Sequence, residues 1–322
     1  MTSVSCEVVS VGILVADVFV PPLPRLPVPG ELQLVDDMLL AAGGCAANTA
    51  MDLAKLGVRV AVAGKVGNDF FAGFVRQDLE AHGVDVSGLS VSATAPTSRT
   101  VILPVVGDDR RYIHAVGANA QLRVADVSRE QVAAAKILHV GGYLLFPGFE
   151  PEALAELFQF ARARGIRTLL DVAGPKPEHG LEVLRPVLPY TDVFLPNQDE
   201  AAVLTGVSYA ARQAEIFAGL GAHTTVITRG GDGVLVRTPE GTYTAPALPF
   251  EFVDGSGAGD AFDAGYIVGL LEGWDLARTI AYASAIGGSA CTRLGTTAGV
   301  FTRAEADAYL AQHPLALQPL AA

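Results

Sequence analysis

Between Val253 and Gly265 the chain reads Val-Asp-Gly-Ser-Gly-Ala-Gly-Asp-Ala-Phe-Asp-Ala-Gly, a glycine-rich turn that runs into an apolar stretch with an acid at its mouth. The first N–H groups of a helix have no partner within it and carry the positive end of its dipole. Gly257, Ala258 and Gly259 would therefore form an anion hole. Asp260, placed beside it, has the chemistry of a base that takes a proton from an attacking hydroxyl while the amides hold charge developing on a phosphoryl group. The dipole favours the charged form of such an Asp by about 0.3 to 1 kcal/mol, which predicts an ionised base at neutral pH. An Asp that merely caps a Gly-rich turn is the plainer alternative. Two other phosphate motifs do not match: no Lys follows the glycines as a P-loop requires, and Gly255-x-Gly257-x-Gly259 has the wrong third interval for the dinucleotide fingerprint.

Asp254 to Gly265 resembles the second signature of the ribokinase-like (PfkB) carbohydrate kinases. Near the N-terminus, Gly43-Gly44-Cys45-Ala46-Ala47-Asn48-Thr49-Ala50, followed by Leu53, Leu56-Gly57 and Ala63 to Asp69, resembles the first. Two adjacent glycines let a polyol approach the backbone, and Asn48, one turn into the helix, offers a donor and an acceptor. Asp17 interrupts the apolar run Val8 to Val20, where a strand of an open α/β sheet should end and present a carboxylate to sugar hydroxyls. An ordinary strand-end residue would read the same way.

Shorter elements lie between the signatures. Asn197-Gln198-Asp199-Glu200 resembles the family's Asn-x-x-Glu element, which implies Mg²⁺ organised near Glu200, and Mg²⁺ needs only one or two carboxylates. Thr228-Arg229-Gly230-Gly231-Asp232-Gly233 is similar to the Thr-x-Gly-x-x-Gly turn, which implies that Asn197, Thr228, Gly230 and Gly233, with Gly257 and Gly259, bind ATP. Alone, these are a common helix start and a hairpin loop. The resemblance also implies a potassium site at Asp254 and Ser256, completed by carbonyls around Ala290, Arg293 and Gly295, although Gly299 stands where the family often has Ser.

The fold implied is α/β: a three-layer α/β/α sandwich with a mostly parallel central sheet and a small β-sheet lid, in one domain over 1–322. Apolar runs at Val8 to Val20, Val58 to Val66, Ile137 to Val140, Arg167 to Asp171, Asp192 to Leu195 and Thr225 to Thr228 predict buried strands. Helical periodicity occupies Ala46 to Lys55, Phe70 to Ala81, Pro151 to Arg164, Gln198 to Leu204 and Ala210 to Leu220, then Asp260 to Leu271, Leu276 to Arg293 and Arg303 to Ala311. Segments of about 19–42 and 97–118, the latter paired around Gly107-Asp108-Asp109, interrupt the pattern and would form the lid, which in the family also makes a homodimer contact. Surface hairpins are the simpler reading. The tail from Pro314 is expected to be disordered.

Composition narrows the partners. Half of the 322 residues are apolar, enough for a large core, and a formal net charge of -12 with no basic stripe argues against nucleic acid. No uncharged stretch reaches the roughly 18 residues of a membrane span, and no basic residue precedes the first apolar run as in a signal, so a cytoplasmic location is expected. Cys6, Cys45 and Cys291 are few and widely spaced, as a reducing compartment without a metal cluster would have them, and the six His show no ligand spacing. Asp171-Val-Ala-Gly-Pro lacks the Asp-x-Asn-x-Arg pattern of several family members, with Arg110, Arg111 and Tyr112 as candidate replacements, so a neutral sugar or a nucleoside is the expected acceptor. A regulatory sugar-binding protein that keeps the fold is the rival reading, and a nicotinamide dehydrogenase is disfavoured by the missing fingerprint.

Overall fold

The computed structural model describes residues 6–107, 111–174 and 180–320. Within them the strands are β1 Val8–Gly12, β2 Val15–Phe19, β3 Leu39–Gly43, β4 Val60–Val66, β5 Asp85–Val91, β6 Arg99–Leu103, β7 Arg111–Ala115, β8 Ile137–Gly141, β9 Arg167–Leu170, β10 Val193–Phe194, β11 Thr224–Thr228, β12 Val234–Thr238, β13 Gly241–Ala245 and β14 Gln318–Pro319. The helices are α1 Cys45–Lys55, α2 Phe70–Ala81, α3 Arg129–Ala134, α4 Pro151–Arg162, α5 Gln198–Thr205, α6 Ala210–Gly219, α7 Ala258–Glu272, α8 Leu276–Ala290 and α9 Arg303–Gln312.

Among the described residues, ten strands form the large sheet in the order β14-β13-β12-β11-β10-β9-β8-β1-β4-β5, parallel from β11 to β5 and antiparallel beyond β11. Alternate residues of β1 feed two cores. Val8 packs with Val62, Met51 and Ile286 on one face, while Val9 and Val11 pack with Leu138, Phe158 and Phe217 on the other. From β1 the chain turns to β4 on one side and later to β8 on the other, which opens a crevice at their C-terminal ends, where open α/β sheets receive ligands.

The run Val8 to Val20 is not one strand. It divides at Ile13-Leu14, so that β1 lies in the large sheet and β2 in a separate sheet ordered β3-β2-β6-β7. The side-chain amide of Asn119 bridges the break: Oδ1 accepts from Leu14 N–H at 3.2 Å and Nδ2 donates to the Leu14 carbonyl at 3.0 Å. Asp17 therefore stands in the middle of β2 in the small sheet rather than at the end of a core strand. In the segment Glu31 to Leu40 a strand begins only at Leu39, and Asp108, Asp109 and Arg110 lie outside the described residues. The periodicity also concealed β5, β12 and β13, and the tail is ordered at Gln318–Pro319, which pairs with β13. The helix expected to run to Arg293 ends at Ala290. Among the described residues, no helix is long and apolar enough to cross a membrane.

Candidate active site

The two long motifs meet. Asn48, buried on the first turns of α1, donates from Nδ2 to Asp260 Oδ2 at 2.8 Å, and Thr49 Oγ1 donates to the Asp260 carbonyl at 3.3 Å. A hydrogen bond across more than two hundred residues joins what the sequence holds apart. Gly43 stands beside them with no side chain to spare: a Cβ there would lie 1.9 Å from Asp17 Oδ2 and 3.7 Å from Asn48 Oδ1. Oδ1 of Asn48 is buried with no partner in the protein, which suits an acceptor held for a ligand hydroxyl.

The turn before α7 has the shape that an anion hole needs. Gly257 adopts φ 75° and ψ 0° as the cap residue, and a Cβ on it would strike the Thr296 carbonyl oxygen at 2.4 Å. The Ala258 N–H turns back to the Gly255 carbonyl at 3.3 Å, so Gly259 and Asp260 contribute the first-turn amides without intrahelical partners. Asp254 and Ser256 brace the turn: Asp254 Oδ1 accepts from the Ser256 N–H at 3.1 Å and hydroxyl at 3.0 Å, and Oδ2 accepts from Gly295 N–H at 3.3 Å. At Gly299 a Cβ would come within 2.5 Å of the Ser289 carbonyl and 2.9 Å of the Ala290 carbonyl, so this chain has no room for the Ser that the resemblance leads one to expect.

Asp260 is not the readily ionised acid that its helix position predicts. Burial pushes its pKa up to about 7, the Asn48 hydrogen bond pulls it down and the neighbouring Asp263 carboxyl pushes it up again. Desolvation outweighs the dipole here because α7 packs against α1 and leaves Asp260 only partly accessible to water. Other acids crowd the same floor. Cys45 Sγ and carboxylate oxygens of Asp171 and Asp260 lie within 4.8 Å of one another, and Asp171 Oδ2 also accepts from Gly142 N–H at 2.8 Å. Burial and the adjacent Asp260 hold the Cys45 thiol well above its usual range, so it is a protonated neighbour of the base and not a nucleophile. Burial likewise raises Asp171, Asp263 and Asp52.

Sequence reasoning missed one pair beneath this floor. The Ser10 hydroxyl donates to the Ala46 carbonyl at 3.0 Å, so it accepts from His139 Nδ1–H at 3.0 Å, and His139 Nε2 then faces Asp263 Oδ2 at 3.5 Å. Burial lowers His139 to about 4 and raises Asp263 above its usual range, so both groups favour their neutral forms. His139 and Asp263 belong to no recognisable motif; only the spacing of Asp263 three residues after Asp260 hinted that both share one helix face.

On the far side of Gly259 lies a cavity of about 320 Å³ bordered by Thr228, Gly230, Gly233, Phe250, Gly287 and Gly288. Small residues of α8 give it depth: a Cβ on Gly288 would stand 2.4 Å from the Phe250 ring. Thr228 ends β11, and Asn197 forms an isolated parallel bridge with it. Asn197 and Glu200 form a capping box on α5, with Asn197 Oδ1 accepting from Glu200 N–H at 2.8 Å and Glu200 Oε2 from Asn197 N–H at 2.9 Å. Glu200 is raised to about 7, first by burial and further by Asp263, Asp260 and Asp199. An acid cluster of this kind fits a divalent cation, which would relieve the repulsion.

The model of the pfkB family carbohydrate kinases matches residues 6–303. The chain belongs to that family. This pfkB kinase is 27% identical over 295 residues to the ribokinase of Haemophilus influenzae, covering 89% of this chain and 93% of the relative. It is 29% identical over 289 residues to the aminoimidazole riboside kinase of Salmonella typhimurium, covering 86% and 90%. Among solved structures, an Arabidopsis thaliana ribokinase complexed with ribose and ATP superposes with a TM-score of 0.80 at 23% identity, covering 95% of this chain and 99% of that one. The ribokinase of Thermotoga maritima gives 0.79 at 24% identity, covering 95% and 99%. The ribokinase-like fold, the large mostly parallel sheet and the small separate sheet, is thus common to this pfkB kinase and those structures.

Proposed function

We propose that this sugar or nucleoside kinase uses Asp260 to deprotonate a hydroxyl of a small polyhydroxy acceptor, with ATP as donor. The observation that carries the reading is the 2.8 Å hydrogen bond from Asn48 to Asp260, which seats the polyol cradle directly on the base. In this reading Asp17, Gly43, Gly44 and Asn48 hold the acceptor, and Asp260 takes its proton. Gly257, Ala258 and Gly259 shape the turn whose free amides face the charge that develops on the phosphoryl group. Thr228, Gly230, Gly233 and Asn197 border the donor cavity, and Glu200 would hold Mg²⁺, which when bound neutralises charge on the phosphate oxygens. Asp254 and Ser256 act as the brace of the turn, with or without a potassium ion behind it. The names of the relatives, ribokinase and riboside kinase, support both acceptor classes.

The small sheet is read as a lid over the acceptor that excludes water from the transfer. Leu32, Leu34 and Ile113 on or beside it are 82%, 77% and 64% exposed, which supports the same element as a homodimer contact. A monomeric mass by sedimentation would remove that part. ADP release measured over a panel of sugars and nucleosides tests the function itself. Turnover with at least one acceptor is expected, and Asp260→Asn should lower it by roughly a thousandfold while sugar binding persists. Near-normal turnover in that variant would refute the base assignment.

A further inference from the structure

One row of side chains crosses the lid on the face that carries Asp17. β2 pairs with β6 at Asp17 and Thr100, and β6 pairs with β7 at Thr100 and His114. Partners in register project to the same side of a sheet, so Asp17, Thr100 and His114 share a face. The contact of Asp17 with Gly43 and its position near Asn48 identify that face as the one over the acceptor cradle. By strand alternation Arg111 projects to the opposite face and cannot join the row.

The polarity of the row follows from counting protons. The Thr100 hydroxyl has one, and it acts as donor to the Asp17 carboxylate, which at neutral pH can only accept. Thr100 Oγ1 lies 3.1 Å from His114 Nδ1, so that oxygen must accept and Nδ1 must carry the ring proton. Partial burial lowers the His114 pKa and favours the neutral ring. Its other nitrogen, Nε2, is then left with a lone pair. The lid row thus ends in acceptors at both ends, a carboxylate and an imidazole nitrogen.

We propose that His114 is a specificity-determining residue whose Nε2 accepts a hydroxyl proton from the substrate and, with Asp17, selects neutral polyhydroxy acceptors against sugar acids and sugar phosphates. This rests on the kinase reading of the same site. A hydroxyl satisfies each acceptor, whereas a carboxylate or phosphate ester placed there sets like charge against Asp17 and leaves Nε2 unpaired. His114 is exposed on β7, so this selection acts once the small sheet closes over the acceptor and removes the water that otherwise pairs with Nε2.

The test measures kcat and KM for pentoses, hexoses and nucleosides beside the matching aldonates and phosphate esters, in wild type, His114→Ala, His114→Gln and His114→Lys. Neutral acceptors should be preferred by the wild type. His114→Ala should raise their KM about tenfold with little change in kcat, and His114→Gln, whose amide oxygen accepts, should recover part of the loss. His114→Lys should move preference toward anionic acceptors by about tenfold. A wild-type preference for an acid or phosphate, or an unchanged KM in His114→Ala, overturns the inference while leaving the kinase reading in place. Absence of ADP release with every acceptor removes the kinase reading instead. In that case calorimetric binding of the neutral sugars is decisive, since equal affinity of wild type and His114→Ala overturns the role of His114 as well.

Discussion

The cavity beside Phe250 is made by leaving side chains out, whereas the floor around Asp260 is made by packing carboxyl groups in. Beside Phe250, Gly287 and Gly288 open a slot bordered by few polar groups. Around Asp260, the acids Asp171, Asp263, Asp52 and Glu200 all have raised pKa values because burial penalises their charge. Room is the property selected on one side and proton affinity on the other. A base must be basic enough to take a proton and still ionised enough to be free, and desolvation brings a carboxyl to that balance near neutrality.

Substitutions on either side should separate these properties. Among these the largest effect is expected from Gly43→Ala, because the new Cβ would stand 1.9 Å from Asp17 Oδ2 and displace it. KM for the acceptor should rise roughly a hundredfold with KM for ATP nearly unchanged, measured by steady-state kinetics at saturating partner substrate. Gly288→Leu should do the converse. Filling the slot beside Phe250 should raise KM for ATP about tenfold and leave sugar affinity alone by calorimetry; a matching loss of sugar binding would show that the two sides are not separable. The smallest effect concerns the pair under the floor. Asp263 pushes the pKa of Asp260 up, so Asp263→Asn should move the acidic limb of kcat/KM to lower pH by about half a unit, and a limb moving upward would contradict the assigned charge balance.

How far the sequence reveals all this depends on what holds residues together. Gly43, Asn48, Gly257 and Asp260 were legible because covalent spacing within each motif reflects a local turn and helix start, and local geometry is written in sequence. The break between β1 and β2 was not, since both halves are apolar and the amide that bridges it belongs to Asn119, 105 residues from Leu14. His139 and His114 went unassigned for the same reason. Their partners Asp263 and Thr100 reach them only through the packing of α7 on the sheet and through strand register. The expected ionisation of Asp260 failed differently: the helix dipole is a local property, but the desolvation that overrides it depends on which elements close over the first turn of α7.

The pH dependence of kcat/KM tests most directly the claim that burial makes Asp260 a base titrating near neutrality. Because only the ionised carboxylate accepts the proton, activity should fall as pH drops through about 7, and Asp260→Asn should retain only a low rate without that limb. A wild-type profile flat from about pH 5.5 to 8.5, or the same limb persisting in Asp260→Asn, would contradict the account.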